Sequence, residues 1–459
     1  MINRRHFLQS IAAATVAPAF AYGDPSGKMH LGMLNVDPDR ILDLPTGFSY
    51  TVISRRGDLM ADGLPVPGAH DGMAAFDGED GRVVLIRNHE LTPRSKHAGA
   101  YADSCENLPD AVISQFYDRG GDRTPGLGGT TTTIYDPATR ETEMQFLSLA
   151  GTDTNCAGGK TPWGSWLSCE ESFAEPGTAI SNKISRISRE RPHGYVFEVP
   201  ASASGLIDAF PLKDMGRFKH EAAAVHASSG VVYLTEDQWH SLFYRFIPNV
   251  PGQLHKGGRL QALAIIDAPG KPTHNWDRVD MRLNKSLNTH WIDLQEVDIE
   301  KDDLRLRGAA LGAATFARGE GLTVAEDQFA FTCTLGGPAR LGQVFTYEPG
   351  PFEGTANEQG SPGRLTLIAE ADENSLFNNC DNLTMAPWGD LIVCEDTEDN
   401  TNHCALIGIR PDGSQYLVAN NAYSDSELAG VCFSPDGKTL FVNIQYPGMT
   451  VAITGPWPV

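Results

Sequence analysis

Six times along this chain a small or apolar run, opening on a ligand-capable residue in five of the copies, meets a tight turn, and a β-branched run ending in polar residues follows. The copies start at Asp71-Gly-Met-Ala-Ala, Asn155-Cys156-Ala-Gly-Gly, His220-Glu221-Ala-Ala-Ala, Arg318-Gly-Glu320-Gly, Asp381-Asn-Leu-Thr-Met and Leu428-Ala-Gly-Val. Their return limbs end at Asn88-His89-Glu90, Cys169-Glu170-Glu171, Thr235-Glu236-Asp237, Cys333-Thr334, Cys394-Glu395-Asp396 and Val442-Asn443. Each copy reads as an antiparallel hairpin, turning at Asp77-Gly, Trp163-Gly, Ser229-Gly, Trp388-Gly or Asp436-Gly. The fourth departs, with Ala325-Glu-Asp at its turn. A hairpin repeat buries its apolar faces only against its neighbours, so the period dictates the architecture.

Runs at Gly194-Tyr-Val-Phe, Leu242-Phe-Tyr-Arg-Phe, Gln343-Val-Phe-Thr and Ala405-Leu-Ile-Gly supply third and fourth strands. The expected fold is therefore all-β: a six-bladed β-propeller with long inter-blade loops. Residues 44–53 are expected to pair with Met449-Thr-Val-Ala-Ile and close the ring. The polar excursion over 91–130 reads as a loop on one face, a candidate lid.

Asn3-Arg4-Arg5-His6-Phe7-Leu8 is a twin-arginine pattern, followed by an apolar stretch and Ala19-Phe-Ala21, a small-residue cleavage site. Residues 1–21 are read as a signal peptide and 22–459 as one propeller domain. That places the protein in the periplasm or outside a bacterial cell, with the twin-arginine export machinery as a partner. No later run is long and apolar enough to span a bilayer. A formal net charge of −22 argues against nucleic acid or an anionic membrane surface, and a monomer is expected.

Eight cysteines would suit a disulfide set in an exported chain, but Cys169, Cys333, Cys394 and Cys432 lie within strand-like runs, as buried thiols do. Cys105 and Cys404, in polar loops, are left as a possible pair. Cys156 differs, standing where other copies carry an acid. In a propeller the innermost strands line one channel, so Asp71, Cys156, Glu221, Glu320 and Asp381 would converge. Crowded carboxylates need compensation, and multivalent cations provide it. A thiolate among them selects a transition metal. The limb-end acids Glu90, Glu170, Glu171, Glu236, Asp237, Glu395 and Asp396 add a second layer. The sixth copy offers only Glu427 nearby. Arg318, two residues before Glu320, suits either a phosphoryl contact or a structural ion pair. Lys160 is a weaker anion-binding candidate; His220 and His89 read as ligands, proton carriers or structural histidines.

The strings Arg87-Asn-His-Glu90, Asn155 through Glu171, Gly216-Arg-Phe-Lys-His-Glu-Ala-Ala223, Ala317-Arg-Gly-Glu-Gly321 and Asp381-Asn-Leu-Thr-Met resemble the PhoX-type alkaline phosphatase family, of which the chain looks like a short member. The resemblance implies a pair of ferric ions and several Ca²⁺ in the channel. It implies Cys156, Glu221, Glu320 and Asp381 as iron ligands, Glu171, Glu90 and Asp153 as calcium ligands, and Arg318 on substrate phosphate. The implied reaction is hydrolysis of small phosphomonoesters. Two alternatives compete: a calcium-dependent lactonase or esterase, with no role for Cys156, and a non-enzymatic propeller with a structural metal.

Overall fold

The computed structural model describes residues 31–92, 95, 98–101, 108–121, 125–181, 185–397 and 404–458. The twin-arginine segment, residues 1–21, and Cys105 lie outside the described residues.

The six copies form the six blades in chain order. Blade 1 contains strands His70–Asp77, Val83–His89, Gly128–Asp136 and Glu141–Thr152. Blade 2 contains Asn155–Lys160, Ser165–Glu170 and Val196–Pro200. Blade 3 is built from His220–Val225, Val232–Glu236, Tyr244–Pro248 and Gly258–Ile265. Blade 4 uses Gly319–Ala325, Gln328–Cys333, Gln343–Glu348 and Arg364–Glu370. Blade 5 uses Cys380–Met385, Leu391–Glu395, Ala405–Ile409 and Gln415–Asn421, and blade 6 Leu428–Phe433, Thr439–Ile444 and Met449–Thr454. Ser49–Arg55 is the outer strand of blade 6, with Tyr50 opposite Ile453 and Val52 opposite Val451, so the ring closes as expected.

Each innermost strand packs on the next, and the sixth returns to the first. Apolar side chains fill all six seams, for example Phe76 and Val84 with Trp166 and Val199 between blades 1 and 2. Between blades 3 and 4 the filling is aromatic: Phe243 stacks on Phe331 at 4.5 Å, and Phe331 on Phe345 at 5.3 Å. Stacked rings of this kind add to the area they bury.

One expectation needed correction. Blade 2 has three strands, because its fourth position is met only by a single bridge from Phe197 to Pro211, and proline has no N–H to continue a ladder. The fourth copy's glycine-free turn is made by Glu326 itself in the left-handed region (φ 52°). Blades 3 and 4 are further joined through Leu287–Asp293, which bridges their outer strands. The excursion after blade 1's second strand packs with its own cluster, including Leu91, Tyr101, Phe116 and Leu127, against Met60, Val66 and Leu147. Among the described residues no helix is long and apolar enough to cross a membrane.

Candidate metal centre

All six innermost strands carry a bulge at the same place, where two residues face one on the neighbouring strand. A bulge kinks the strand and re-aims a side chain. The first bulge residue is Asp71, Cys156, Glu221, Glu320 and Asp381 in blades 1 to 5, and Gly430 in blade 6. The second is Gly or Ala in blades 1 to 4, where the inner strands approach backbone to backbone, and Asn382 and Val431 in blades 5 and 6. A Cβ on Gly72 would sit 2.5 Å from Ala157 Cα, and one on Gly321 would sit 2.7 Å from Asn382 Cα. Two residues ahead of the ligand position, Ala69, Thr154, Arg318 and Asn379 all have positive φ, between 45° and 55°. Such a conformation costs a non-glycine residue about 1–2 kcal/mol, and here it recurs with the period of the site.

Two groups of three carboxylates result, each with oxygens within 4.8 Å of one another. One is Glu221, Glu320 and Asp381, all buried. The other is Asp71, Glu90 and Glu427, so blade 6 does contribute an acid, three residues before the vacant Gly430 position. Gln445 ties the second group together, donating from Nε2 to Glu90 at 2.7 Å and to Asp71 at 3.3 Å. Cys156 is buried beside the first group, its Sγ 3.3 Å from the carbonyl oxygen of His220 and 3.7 Å from that of Glu221.

The second acidic layer divides by strand alternation. Glu170, Glu236 and Glu395, the last residues of their strands, turn away from the axis and hold backbone or side chains. Glu170 accepts from the N–H groups of Gly194 and Tyr195, Glu236 from the Tyr244 hydroxyl, and Glu395 from Asn378 and Ala405. Glu90, Glu171, Asp237 and Asp396, one residue later, face the mouth, where Asp396 hydrogen-bonds Glu427.

Arg318 and Lys219 are the cations paired with these mouth acids among the described residues. Arg318 donates from Nε and Nη2 to the two oxygens of Asp237, both at 2.6 Å, and Nη2 lies 3.5 Å from Glu320. Lys219 Nζ reaches Glu171 at 2.9 Å. Reading the residues one at a time overlooks Lys219. It stands two before Glu221 as Arg318 stands two before Glu320, a periodicity that would have found it.

Other candidates lie elsewhere. Asp153 is paired with Arg189 at 2.9 Å. Lys160 is at the opposite end of its strand from Cys156, about 13 Å along it, and donates to the Ala75 carbonyl. His220 is stacked on Phe218 at 3.6 Å and bonded through Nε2 to Gly216; burial lowers its pKa to about 3, so it is neutral. His89 is held between Gly68 and Thr131.

Burial raises the pKa of Glu221, Glu320, Asp381, Glu90 and Glu427 well above the usual carboxylate range, and the neighbouring carboxylates raise it further. Asp71 is pushed up to about 7 by burial, against the hydrogen bonds from Gln445 and Gly72. Burial, then Glu221, Glu171 and Asp71, raise the Cys156 thiol. Burial works against the charge on Arg318, but Asp237 and Glu320 overcome it and raise its pKa. A buried set of oxygen donors with one thiol and so little compensating positive charge fits multivalent cations.

Beside this centre, buried His193 bridges Glu170 (2.7 Å) and Asp118 (3.1 Å), while Asp118 accepts from the N–H groups of Gly120, Glu190 and Arg191. Burial opposes its charge, yet the two acids raise its pKa to about 9. The stability from protonated His193 is therefore complete below about pH 6.5 and lost as pH rises through 9. Limited proteolysis should show cleavage near residues 108–121 and 185–193 rising across that window. His193→Gln should show the faster cleavage already at pH 7, with little further change.

Residues 29–448 match the family described as alkaline phosphatase PhoX, which are phosphoric monoester hydrolases. The chain belongs to the PhoX alkaline phosphatase family. Among solved structures it is similar to Pseudomonas fluorescens PhoX in complex with vanadate, a transition state analogue. That similarity has a TM-score of 0.66 at 19% identity, over 93% of this chain and 98% of that one. A gluconolactonase from Xanthomonas campestris (TM-score 0.39, 11% identity, 89% and 96% covered) and the periplasmic gluconolactonase of Pseudomonas aeruginosa (0.39, 13%, 87% and 89%) are too distant to bear on the chemistry. No curated protein sequence matches the chain.

Proposed function

We propose that this protein hydrolyses small phosphomonoesters outside the cytoplasm, at an iron and calcium cluster in the mouth of the propeller. The observation that carries the reading is the pairing of two carboxylate triads, one buried and one partly exposed, with Cys156 and a carboxylate-anchored arginine. Glu221, Glu320 and Asp381 with Cys156 would hold the iron pair. Asp71, Glu90 and Glu427 would hold calcium, with Glu171 as a further acid, while Asp153 is held by Arg189. Such ions supply Lewis acidity toward a phosphoryl group. The family match and the vanadate complex of the similar P. fluorescens protein support this reading.

The chain's own residues provide binding and orientation. Asp237 grips one edge of the Arg318 guanidinium through Nε and Nη2, which leaves Nη1 to donate to a phosphoryl oxygen in a fixed direction. Lys219 adds a second positive charge, held in place by Glu171. His220 is neutral and enclosed by Phe218, which makes it a support for the Cys156 wall and not a proton carrier. Export by the twin-arginine route, with removal of residues 1–21, would deliver the protein folded and loaded.

Protein exported by its native route should contain iron and calcium and turn over p-nitrophenyl phosphate. Calcium alone, with no phosphate hydrolysis, would overturn the reading. Cys156→Ala should remove the iron together with any visible thiolate-to-iron colour, while its circular dichroism stays that of the parent.

A further inference from the structure

We propose that the rim of this mouth carries a platform for a flat aromatic ring on the alcohol side of the substrate, centred on Trp239; this rests on the phosphomonoester reading. Of the chain's seven tryptophans Trp239 is the one exposed, at 47%. It is tied to the phosphate-binding arginine by backbone on both sides. Asp237, the anchor of Arg318, precedes it by two residues, and the intervening Gln238 accepts from the Arg318 N–H at 3.2 Å. Trp239 itself lies opposite Ala317 in a two-stranded ladder between Trp239–Ser241 and Phe316–Ala317. Wherever Arg318 holds a phosphoryl group, the Trp239 indole is therefore a near neighbour of whatever that group is esterified to.

The indole is held by partners from separate loops on the same face. Trp276, from the connection entering blade 4, meets it at 5.3 Å and is fixed by a 2.6 Å hydrogen bond from Nε1 to the Leu335 carbonyl. His274 stacks on Trp276 at 3.9 Å and His240 meets it edge-on at 5.2 Å. Arg340, from the loop after blade 4's second strand, lies over both indoles, 5.9 Å from Trp239 and 5.0 Å from Trp276. A core would bury such a cluster. Here three loops brace it and leave its outermost ring to solvent. Aromatic faces and a guanidinium plane together take a flat π-system and do nothing for a small aliphatic alcohol. The substrates so favoured are phosphomonoesters bearing a nucleobase or an aryl group.

Adenosine 5′-monophosphate and glycerol 3-phosphate test this, because both are primary alkyl phosphates and differ in the ring. The ratio of their kcat/KM values should fall about tenfold in Trp239→Ala, mainly through KM for the nucleotide, and recover in Trp239→Phe. Metal content should be equal in all three proteins. A parallel fall for phenyl phosphate would place the ring beside the ester oxygen, and a fall for the nucleotide alone would place it a ribose further out. An unchanged ratio in Trp239→Ala overturns the platform. If the protein hydrolyses no phosphomonoester, quenching of tryptophan emission by adenosine 5′-monophosphate decides separately. Quenching that Trp239→Ala removes keeps the platform and rejects the phosphatase reading; quenching independent of Trp239 rejects the platform.

Discussion

Arg318→Ala is expected to lower kcat/KM for p-nitrophenyl phosphate by about 10²–10³-fold, the loss seen when a preorganised charge donor leaves a developing anion. Three features set the size. The guanidinium lies 3.5 Å from Glu320, its backbone is left-handed at φ 55°, and Asp237 fixes its Nε–Nη2 edge. A lysine at 318 would retain charge without the fork, so Arg318→Lys should recover little. Asp237→Asn should cost less, about tenfold, since the arginine remains but loses its bidentate anchor. Metal content should survive in all three variants. If iron is lost with Arg318→Ala, the arginine is a structural partner of Glu320, and the phosphoryl role fails.

The second large effect concerns the protein stripped of metal. Glu90, Glu221, Glu320, Asp381 and Glu427 have raised pKa values, and that of Asp71 is about 7 against an ordinary 3.8. Groups raised on folding favour the folded chain at low pH, where they are protonated, and that advantage is lost as pH climbs through their folded values. Chelator-treated protein should therefore lose stability between about pH 4 and 7 and continue losing it above. Asp71 alone accounts for a few kcal/mol. Saturating calcium and iron should flatten this slope, because cations bind the folded state. Glu320→Gln separates charge from structure: it should raise the melting temperature of the stripped protein at pH 8 while abolishing activity. A stripped protein whose melting temperature is flat from pH 4 to 8 would show that the acids are not mutually repelling in the fold.

Much of the ring was legible because hairpin punctuation and strand-like runs are local signals. Blade 2 shows the limit: the fourth strand reduces to a single bridge at Pro211, and the proline in Ala-Phe-Pro-Leu212 was the one local warning. The convergence of the inner-strand acids and Cys156 was legible because one position in five of the six copies carries them. The limb-end acids were not, since Glu170 and Glu171 are adjacent in sequence and only strand alternation decides which faces the mouth. Glu427 was visible as an acid, but its partnership with Asp71 and Glu90 joins blades 6 and 1 across the ring. Trp239 and Arg340 come from different blades, and no spacing rule connects them.

The strand that closes the ring has a consequence in time. Ser49 and Thr454 meet 405 residues apart, so the last seam can form only after all six blades have been made. Every blade lends a side chain or a bulge to the same mouth, and an incomplete circle therefore holds an incomplete set of ligands. Pairings over such separations form late and slowly. A chain interrupted anywhere between those two strands would thus fail to assemble the candidate centre, so closure of the ring becomes a condition for any metal it would hold.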